Sequence, residues 1–529
     1  MKNLRVAIAC ALSIFLASQT ITAAHAQTKK AWSSSSIPAV ANDEIQALFG
    51  TQIFTASSDL NWSVRTTPTP AGAKLSFNRP WIYYALPPCS SLIKSGCIAS
   101  VDYSLDSNTW KAAVLSSREL VKRNGEVSVN GRLSTGEVIS TREFNEWVAE
   151  PESHTPAAGR ASYWHFPGAP HGGGDEYLLR ANVSGINSSQ STWSNGKVQR
   201  YLEMGIFPVD GLSEYEFPAN VKIRVRLNLG IVINDLWGWF HGRVINPDVV
   251  MDLDSALGIL EVSGAPSFTP MGLTKSKKIS DLSANMNLFG CDGQPGINTC
   301  APKPGLKQFS TDGNADLSFF SAFEKEFKEV STTGVRTEWW IETTRWPNDA
   351  LIDNCPAPQN GFAGIVTTNA SMYKPSAPSW DSTDNSFVFQ VASPHRGLTG
   401  ELNQGYYSLI LPLDLAQCRW GRQLANAKAV VSITSDDGVN QVGVATYKIS
   451  KNLLIFNISG FNYSSPKIKV SLAPSPQIVA PSPQPNEEKA SSLPKPSVPK
   501  KKTIVCTNGK QLKKVTAISP KCPSGYKKK

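Results

Sequence analysis

The chain has 529 residues, of which 41% are hydrophobic and 18% charged, and its formal net charge is +10. This length allows two or three domains with cores of their own. The charge is uneven, because residues 1–26 carry +2 and residues 474–529 carry +10, which leaves −2 on residues 27–473. A body so close to neutral argues against a nucleic-acid-binding protein, and we expect no nucleic acid among the partners.

Residues 1–26 have the pattern of a secretory signal peptide. Lys2 and Arg5 precede a short apolar run, and a small-x-small sequence at residues 24–26 offers a cleavage site. The apolar run is too short to span a membrane, and no later stretch reaches about 18 apolar residues. We therefore predict export, with no transmembrane segment once the signal peptide is removed.

Eight cysteines follow the signal peptide, and none stands in a Cys-x-x-Cys motif. The missing motif weakens the zinc and thioredoxin interpretations and favours structural disulfides, which agree with export. Eight cysteines allow 105 pairings, and the connectivity of Cys355 and Cys418 is the least determined. Because short loops cost least entropy to close, the first prediction pairs sequence neighbours: Cys89–Cys97, Cys291–Cys300, Cys355–Cys418 and Cys506–Cys522.

Residues 27–270 are predicted to form an N-terminal β-rich domain. Its clearest strand runs from Val221 to Ile233, where apolar residues alternate with polar ones that include Lys222, Arg224 and Arg226. Such alternation is typical of an antiparallel strand with one buried face. A solvated surface explains the basic outer face more simply than a binding stripe does.

A glycine-rich stretch in this domain holds the first candidate site. His165, His171, Asp175 and Glu176 fall within twelve residues, with Trp164 beside them. Two imidazoles and two carboxylates could assemble a metal or catalytic site. A polar loop is the simpler interpretation, because no recognised metal-ligand spacing is present. We therefore predict neither a metal nor a cofactor.

Trp237, Trp239 and His241 form a second candidate site. The histidine could act as a general base, and the tryptophans could form the floor of a ligand pocket. A buried aromatic strand with a hydrogen-bonded histidine is the simpler interpretation.

Trp340 stands between Glu338 and Glu342 in a third candidate. In a strand the two glutamates share a face about 13 Å apart. Glycosidase carboxyl groups lie about 5–5.5 or about 6.5–9.5 Å apart, so any catalytic partner must come from elsewhere. Trp340 remains a candidate platform for stacking a sugar.

Residues 271–360 are predicted to connect two domains, with the 291–300 disulfide loop and one helix. The helix is expected from Asp316 to Lys328, because apolar residues recur there at helical spacing. Short strands at roughly ten-residue intervals predict a β-sandwich in residues 361–473: 387–391, 406–411, 429–434, 443–449, 453–458 and 467–472. The predicted fold class is mainly β, with antiparallel β-sandwich domains and one or two short helices.

The tail has two parts. Residues 474–502 contain eight prolines and predict an extended spacer. Residues 503–529 predict a basic hairpin around Asn508-Gly509, closed by the Cys506–Cys522 disulfide. They contain seven lysines and no acidic side chain: Lys510, Lys513, Lys514, Lys521, Lys527, Lys528 and Lys529. We expect these lysines to attract an anionic cell-wall polymer or surface; the alternative is a solvated tail that promotes solubility.

The sequence Thr503-Ile-Val-Cys506 and the ending Pro520 to Lys529 resemble the C-terminus of many exported proteins of actinobacteria. Residues 339–472 are also similar to uncharacterised exported proteins of that group. Four segments carry this second similarity: Gly364–Ala370, Ala392–His395, Cys418–Gly421 and Gly460–Pro466. The resemblance implies an exported protein of this architecture, and it implies no activity.

The predicted function is a secreted or cell-surface binding protein without catalysis, held at the envelope by its tail. Fourteen tryptophans, all between residues 27 and 473, make carbohydrate the first ligand class to test. The alternative is an extracellular hydrolase, with or without a metal, acting on carbohydrate or cell-wall polymer near His165, His171 and His241. No P-loop, Gly-x-Ser-x-Gly or His-Glu-x-x-His motif is present, which favours the binding protein.

Overall fold

The computed structural model describes two compact units, a trunk (residues 1–475) and a C-terminal module (residues 476–529). The predicted signal peptide, the Cys291–Cys300 pair, the Pro-rich spacer, Trp237, and the side chains of Lys510 and Lys529 lie outside the described residues. The described residues are 30–51, 56, 61–68, 81–106, 109–121, 126–132, 138–149, 157–186, 200–211, 213–236, 238–283, 303–310, 317–343, 355, 362–374, 376–421, 424, 428–434, 440–441, 443–463, 467–473, 502–509, 511–517 and 521–528.

The trunk is mainly β, as predicted. Its strands are β1 (Glu44–Thr51), β2 (Val64–Pro68), β3 (Trp81–Ala85), β4 (Cys97–Ser104), β5 (Lys111–Ala112), β6 (Val114–Leu115), β7 (Glu126–Arg132), β8 (Val138–Phe144), β9 (Ser162–His165), β10 (Glu176–Ile186), β11 (Arg200–Asp210), β12 (Ser213–Glu214), β13 (Lys222–Asn228), β14 (Gly238–Asp252), β15 (Ile259–Thr274), β16 (Lys277–Lys278), β17 (Gly305–Ser310), β18 (Val330–Thr343), β19 (Phe362–Thr368), β20 (Met372–Tyr373), β21 (Ser379–Asp381), β22 (Ser386–Ala392), β23 (Gln404–Pro412), β24 (Lys428–Thr434), β25 (Asn440–Gln441), β26 (Val444–Ser450), β27 (Leu453–Asn462) and β28 (Lys467–Ala473).

A continuous ladder runs through the trunk in the order β3–β10–β11–β18–β14–β19–β23–β27–β26. Every pair in it is antiparallel except β14–β19, which is parallel. β14 leaves the ladder at Val244 to pair with β15, and its register is irregular between Ile245 and Asp248. Irregular pairing of this kind lets a strand bend from one sheet layer into another. One hydrophobic core then joins β10 and β11 to β4 and β13.

The alternation in β13 matches the prediction. Ile223, Val225 and Leu227 are buried, while the lysine and arginines between them are half-exposed. The predicted strand ends early, because residues Gly230–Asp235 form a 3₁₀ helix instead. Gly230 adopts a φ of 59°, and a Cβ at Gly258 would lie 2.2 Å from the Gly230 carbonyl oxygen. This close backbone approach turns the chain out of the sheet.

The six strands predicted between residues 387 and 472 are present. β22, β28 and β24 form a second sheet with the short strands β20, β21 and β25, and it packs over β19, β23 and β27. The covered sheet continues into the N-terminal half through the β14–β19 pairing. β15 also runs through residue 270, so sheet hydrogen bonds cross both of the boundaries predicted within the trunk.

The predicted helix is α1 (Leu317–Phe327), and a shorter helix, α2 (Leu413–Trp420), follows β23. Phe320 and Phe323 of α1 are buried against Phe49 of β1. Two further short 3₁₀ helices span Ser34–Ser36 and Ile279–Asp281. Within the described part of the chain, no helix is both long and apolar enough to cross a membrane.

Three of the four predicted disulfides are formed: Cys89–Cys97, Cys355–Cys418 and Cys506–Cys522. The Cys89–Cys97 disulfide links the start of β4 to the preceding loop. The Cys355–Cys418 disulfide links α2 to a residue 63 positions earlier. Neighbour pairing was therefore the correct rule for these six cysteines.

The C-terminal module is a three-stranded antiparallel sheet, one strand more than the predicted hairpin. β29 (Lys502–Thr507) lies between β30 (Leu512–Ala517) and β31 (Lys527–Lys528). Asn508 and Gly509 lie in the turn between β29 and β30, where Gly509 has a φ of 92°. The third strand forms because the Cys506–Cys522 disulfide returns the chain to β29.

Candidate functional site

The glycine-rich stretch folds as a hairpin between β9 and β10. His165 lies directly opposite Glu176, and β6 places Val114 on the other side of His165. The Nδ1 atom of His165 is 3.0 Å from Oδ1 of Asp175, and its Nε2 atom is 4.0 Å from Oε1 of Glu176. The imidazole is 38% exposed. Asp175 can therefore orient the ring while Nε2 stays accessible to a ligand.

Glu176 is held by two residues that the sequence analysis missed. Ser116 donates its hydroxyl hydrogen to Oε1 at 3.0 Å, and the Arg118 guanidinium forms an ion pair with Oε2. Arg118 also lies over the Tyr163 ring, 4.4 Å from its centre. Burial raises the pKa of Tyr163, although the Arg118 charge opposes that shift. Ser116 and Arg118 lie about 60 residues before Glu176, so no local pattern could have revealed them.

His171 does not join this cluster. Its Nδ1 accepts a hydrogen bond from the Gly173 N–H at 3.0 Å, so Nε2 carries the hydrogen and donates to the Glu176 carbonyl at 2.8 Å. Burial lowers the pKa of His171 and favours this neutral form. A Cβ at Gly173 would lie 2.4 Å from the Tyr215 ring, so the turn requires glycine. His171 fixes the hairpin turn.

Trp164 also has a structural environment. Its side chain is buried in the main core, and Nε1 donates to the Ser162 hydroxyl at 2.8 Å. Of the five residues predicted for this site, the structure brings three together: His165, Asp175 and Glu176.

A cleft of about 840 Å³ adjoins the His165 cluster, and Ser116, Arg118 and Tyr163 line it. Its walls are mostly apolar and include Leu92 and Trp147. Three of its charged side chains form an ion-pair cluster, in which Arg160 contacts Glu119 at 2.5 Å and Glu146 at 3.2 Å. A mostly apolar concavity with a few fixed polar groups is the usual form of a ligand site.

The second candidate site is an interior network. His241 is buried, with Nδ1 2.8 Å from the Tyr373 hydroxyl and Nε2 3.1 Å from Oε1 of Glu342. Trp340 packs edge-on against this imidazole and is itself buried, as is Trp239. These side chains lie inside the protein between β14, β18 and β20.

The third candidate residues, Glu338 and Glu342, belong to the same network. Glu338 lies 3.6 Å from the Arg243 guanidinium, while Glu342 lies beside His241 and is paired in register with Glu203 of β11. Arg243 donates to the carbonyl of Thr368 at 2.8 Å and also to that of Ala370. Residues 368–371 connect one sheet to the other, so these hydrogen bonds hold the connecting segment against β14.

Metal coordination finds no support in the part of the chain that the structure describes. There, no group of three or more His, Cys, Asp or Glu side chains is placed to hold a metal ion. The interior histidine and glutamates instead pair with protein groups.

The C-terminal module presents a different kind of surface. Five of its predicted binding lysines are described, and all of them are exposed: Lys513, Lys514, Lys521, Lys527 and Lys528. The sequence from 503 to 529 contains no acidic side chain to neutralise them.

Comparison of the chain with protein-family models, curated proteins and solved structures gave no significant match. The functional inference therefore depends on residues and geometry.

Proposed function

We propose that this protein is an exported binding protein held at the cell envelope by its C-terminal module. The observation that carries the proposal is the set of five exposed lysines in a disulfide-closed sheet without acidic side chains. Lysine is a compact charge that suits diffuse attraction to a polyanion. Outside the cell, anionic wall polymers are the partner class that fits this surface.

Export is supported by the disulfides and by the N-terminal sequence. Three disulfides close loops in both units, and disulfides persist in oxidising compartments. The basic start, short apolar run and small-x-small site of residues 1–26 supply the export signal. The resemblance of the tail to endings of exported actinobacterial proteins agrees with this location.

Attachment is tested in cells that express the full chain or a chain that ends at residue 502. We expect the full chain in the envelope fraction, released by raised salt because salt screens charge pairs. The shortened chain should appear in the medium. A full chain with all five described lysines changed to glutamine keeps the module but removes this charge. It should be released like the shortened chain. Retention of either variant at the envelope would refute the attachment.

We propose carbohydrate as the ligand class of the trunk and the cleft as its binding site. Trp147 supplies an aromatic surface, and Arg118 and Arg160 hold fixed polar groups beside it. Aromatic rings offer a large apolar surface, while a few oriented polar groups give specificity.

The cleft is tested with a glycan array probed with Leu92→Glu and Leu398→Glu variants of the full chain. Leu92 is 93% exposed within the cleft, and Leu398 is 56% exposed outside it. The first substitution should abolish glycan binding by adding charge to an apolar wall, and the second should leave binding intact. Equal binding by both variants would place the site elsewhere.

One observation favours hydrolysis as a second candidate function. Asp175 engages Nδ1 of His165, which leaves Nε2 facing Glu176, whose partners Ser116 and Arg118 line the cleft. An imidazole oriented in this way can act as a general base on water. If the protein hydrolyses a polysaccharide or cell-wall polymer, His165→Gln should abolish turnover without changing the glycan affinity, and His171→Gln should not affect turnover.

A further inference from the structure

The sheet register sorts the lysines of the C-terminal module onto two faces. Residues directly opposite each other in antiparallel strands share a face. Cys506 of the central strand lies opposite both Lys513 and Lys528, so these two lysines flank it on one face, here called face one. Their Cα atoms are about 10 Å apart, which is two strand spacings.

The other face carries a second pair of lysines. Thr507 lies opposite Lys527, and Val505 lies opposite Lys514. Val505 and Thr507 share a face because side chains alternate along a strand. Lys514 and Lys527 therefore lie on the face opposite Cys506, here called face two.

The Cys506–Cys522 disulfide brings a further lysine, Lys521, to face one. The Cys506 side chain is directed to that face, and it is bonded to Cys522. The segment that contains Cys522 thus lies on the same side of the sheet, and exposed Lys521 precedes it. Among the lysines whose side chains are described, face one therefore carries three and face two carries two.

We propose that the module bridges two chains of an anionic phosphate polymer, one on each face. The proposal rests on the envelope attachment proposed above and adds that each module is bivalent. A single chain would have to fold sharply around the sheet edge to reach both faces. Like charges along a polyanion repel and extend the chain, which opposes such folding. Two extended chains on opposite faces satisfy the same lysines without this cost.

The experiment uses the full mature chain and long-chain inorganic polyphosphate. Binding is measured by co-sedimentation, and bridging by light scattering as protein is titrated into polymer. Scattering should rise and then fall as excess protein covers each chain singly, since bridging needs both faces occupied. Absence of binding would overturn the proposed attachment, whereas binding without scattering would overturn the bridging alone.

Two variants with equal net charge test the role of the faces. Lys514→Gln/Lys527→Gln removes both lysines from face two, and Lys513→Gln/Lys521→Gln leaves Lys528 on face one and both lysines on face two. Each variant should still bind, with the log–log salt slope lowered by about 1.4 at about 0.7 per lost phosphate contact. The first should lose the scattering increase and the second should keep it.

Equal scattering from the two variants would show that net charge alone matters and would overturn the bivalent arrangement. A parallel titration uses vesicles with anionic lipid. Clustering of vesicles without clustering of polyphosphate would also overturn the proposal, because it would make a membrane surface the partner.

Discussion

Replacement of Arg243 by methionine should destabilise the trunk far more than replacement of a surface arginine. The Arg243 side chain is 2% exposed, pairs with Glu338 and donates to three carbonyl groups in the crossing between the sheets. Hydrogen bonds to charged groups contribute about 1.5–3 kcal/mol each. Removing one partner of a buried ion pair costs about 3–5 kcal/mol. We expect the free energy of unfolding to fall by about 4 kcal/mol, because Arg336 remains 3.6 Å from Glu338 and still partly compensates its charge.

Arg224→Met is the matched control. Arg224 also pairs with one carboxylate, that of Asp102 at 3.1 Å, but its side chain is 28% exposed on the outer face of β13. Exposed ion pairs contribute about 0–1 kcal/mol. The free energy of unfolding is measured from urea transitions followed by tryptophan fluorescence, with the slope checked for each variant. Adding Glu338→Gln to Arg243→Met should recover part of the loss, because it removes the weakly paired buried carboxylate.

Equal effects of Arg243→Met and Arg224→Met would refute this reasoning. Such a result would mean that the interior ion pairs contribute no more than surface pairs and do not fasten the crossing. Arg243→Lys gives a further check, because it keeps the charge but not the planar fork whose two terminal nitrogens reach three carbonyls. Its stability should fall between those of the native protein and Arg243→Met.

Two further predictions concern stability. Burial holds the pKa of His171 in the folded protein below its usual value of about 6.5. As pH falls, the unfolded chain is therefore protonated at this histidine before the folded protein is. The free energy of unfolding should then decrease below about pH 6.5. His171→Gln should flatten this slope in urea titrations at pH 5 to 8, and an unchanged slope would contradict the assignment. Loop-closure entropy predicts that Cys355→Ala/Cys418→Ala loses about 4 kcal/mol and Cys89→Ala/Cys97→Ala about 2.5 kcal/mol, for sequence separations of 63 and 8. The reverse order in thermal melts would show that loop length does not set the effect.

Local patterns in the sequence located several of the structural elements of this protein. Alternation of apolar and polar residues located β13 and the strands of the C-terminal sandwich, and helical spacing of phenylalanines located α1. These signals depend on neighbours in the chain. The early end of β13 was missed because it depends on Gly258, 28 residues beyond Gly230, approaching the backbone.

The candidate sites were less predictable, because strand order decides which side chains meet. His165 meets Asp175 and Glu176 through a local hairpin, and these three were predicted together. Ser116 and Arg118 reach Glu176 only because β6 pairs with β9. Hydrophobic patterns state which face of a strand is buried, but they do not state which strand lies beside it.

The same strand order explains why Glu338 and Glu342 do not form a catalytic pair with each other. Each instead faces a basic residue of β14, Arg243 for the first and His241 for the second. Two carboxylates on one strand were expected to need partners from elsewhere in the chain. The partners supplied by the fold are the Arg243 guanidinium and the His241 imidazole, which pair with these carboxylates inside the protein and favour a structural role over acid–base catalysis.

The two units of the protein differ in how their basic side chains are paired. Several basic groups in the described part of the trunk lie beside carboxylates, as with Arg243 and Glu338 in the interior or Lys469 and Asp381 nearer the surface. The segment from 503 to 529 offers its lysines no acidic side chain. Salt should therefore weaken contacts of the module with anions while buried pairs of the trunk are screened much less. If the proposed envelope attachment is correct, a range of salt concentrations should release the protein from the envelope without lowering trunk stability, and simultaneous loss of both would contradict this difference.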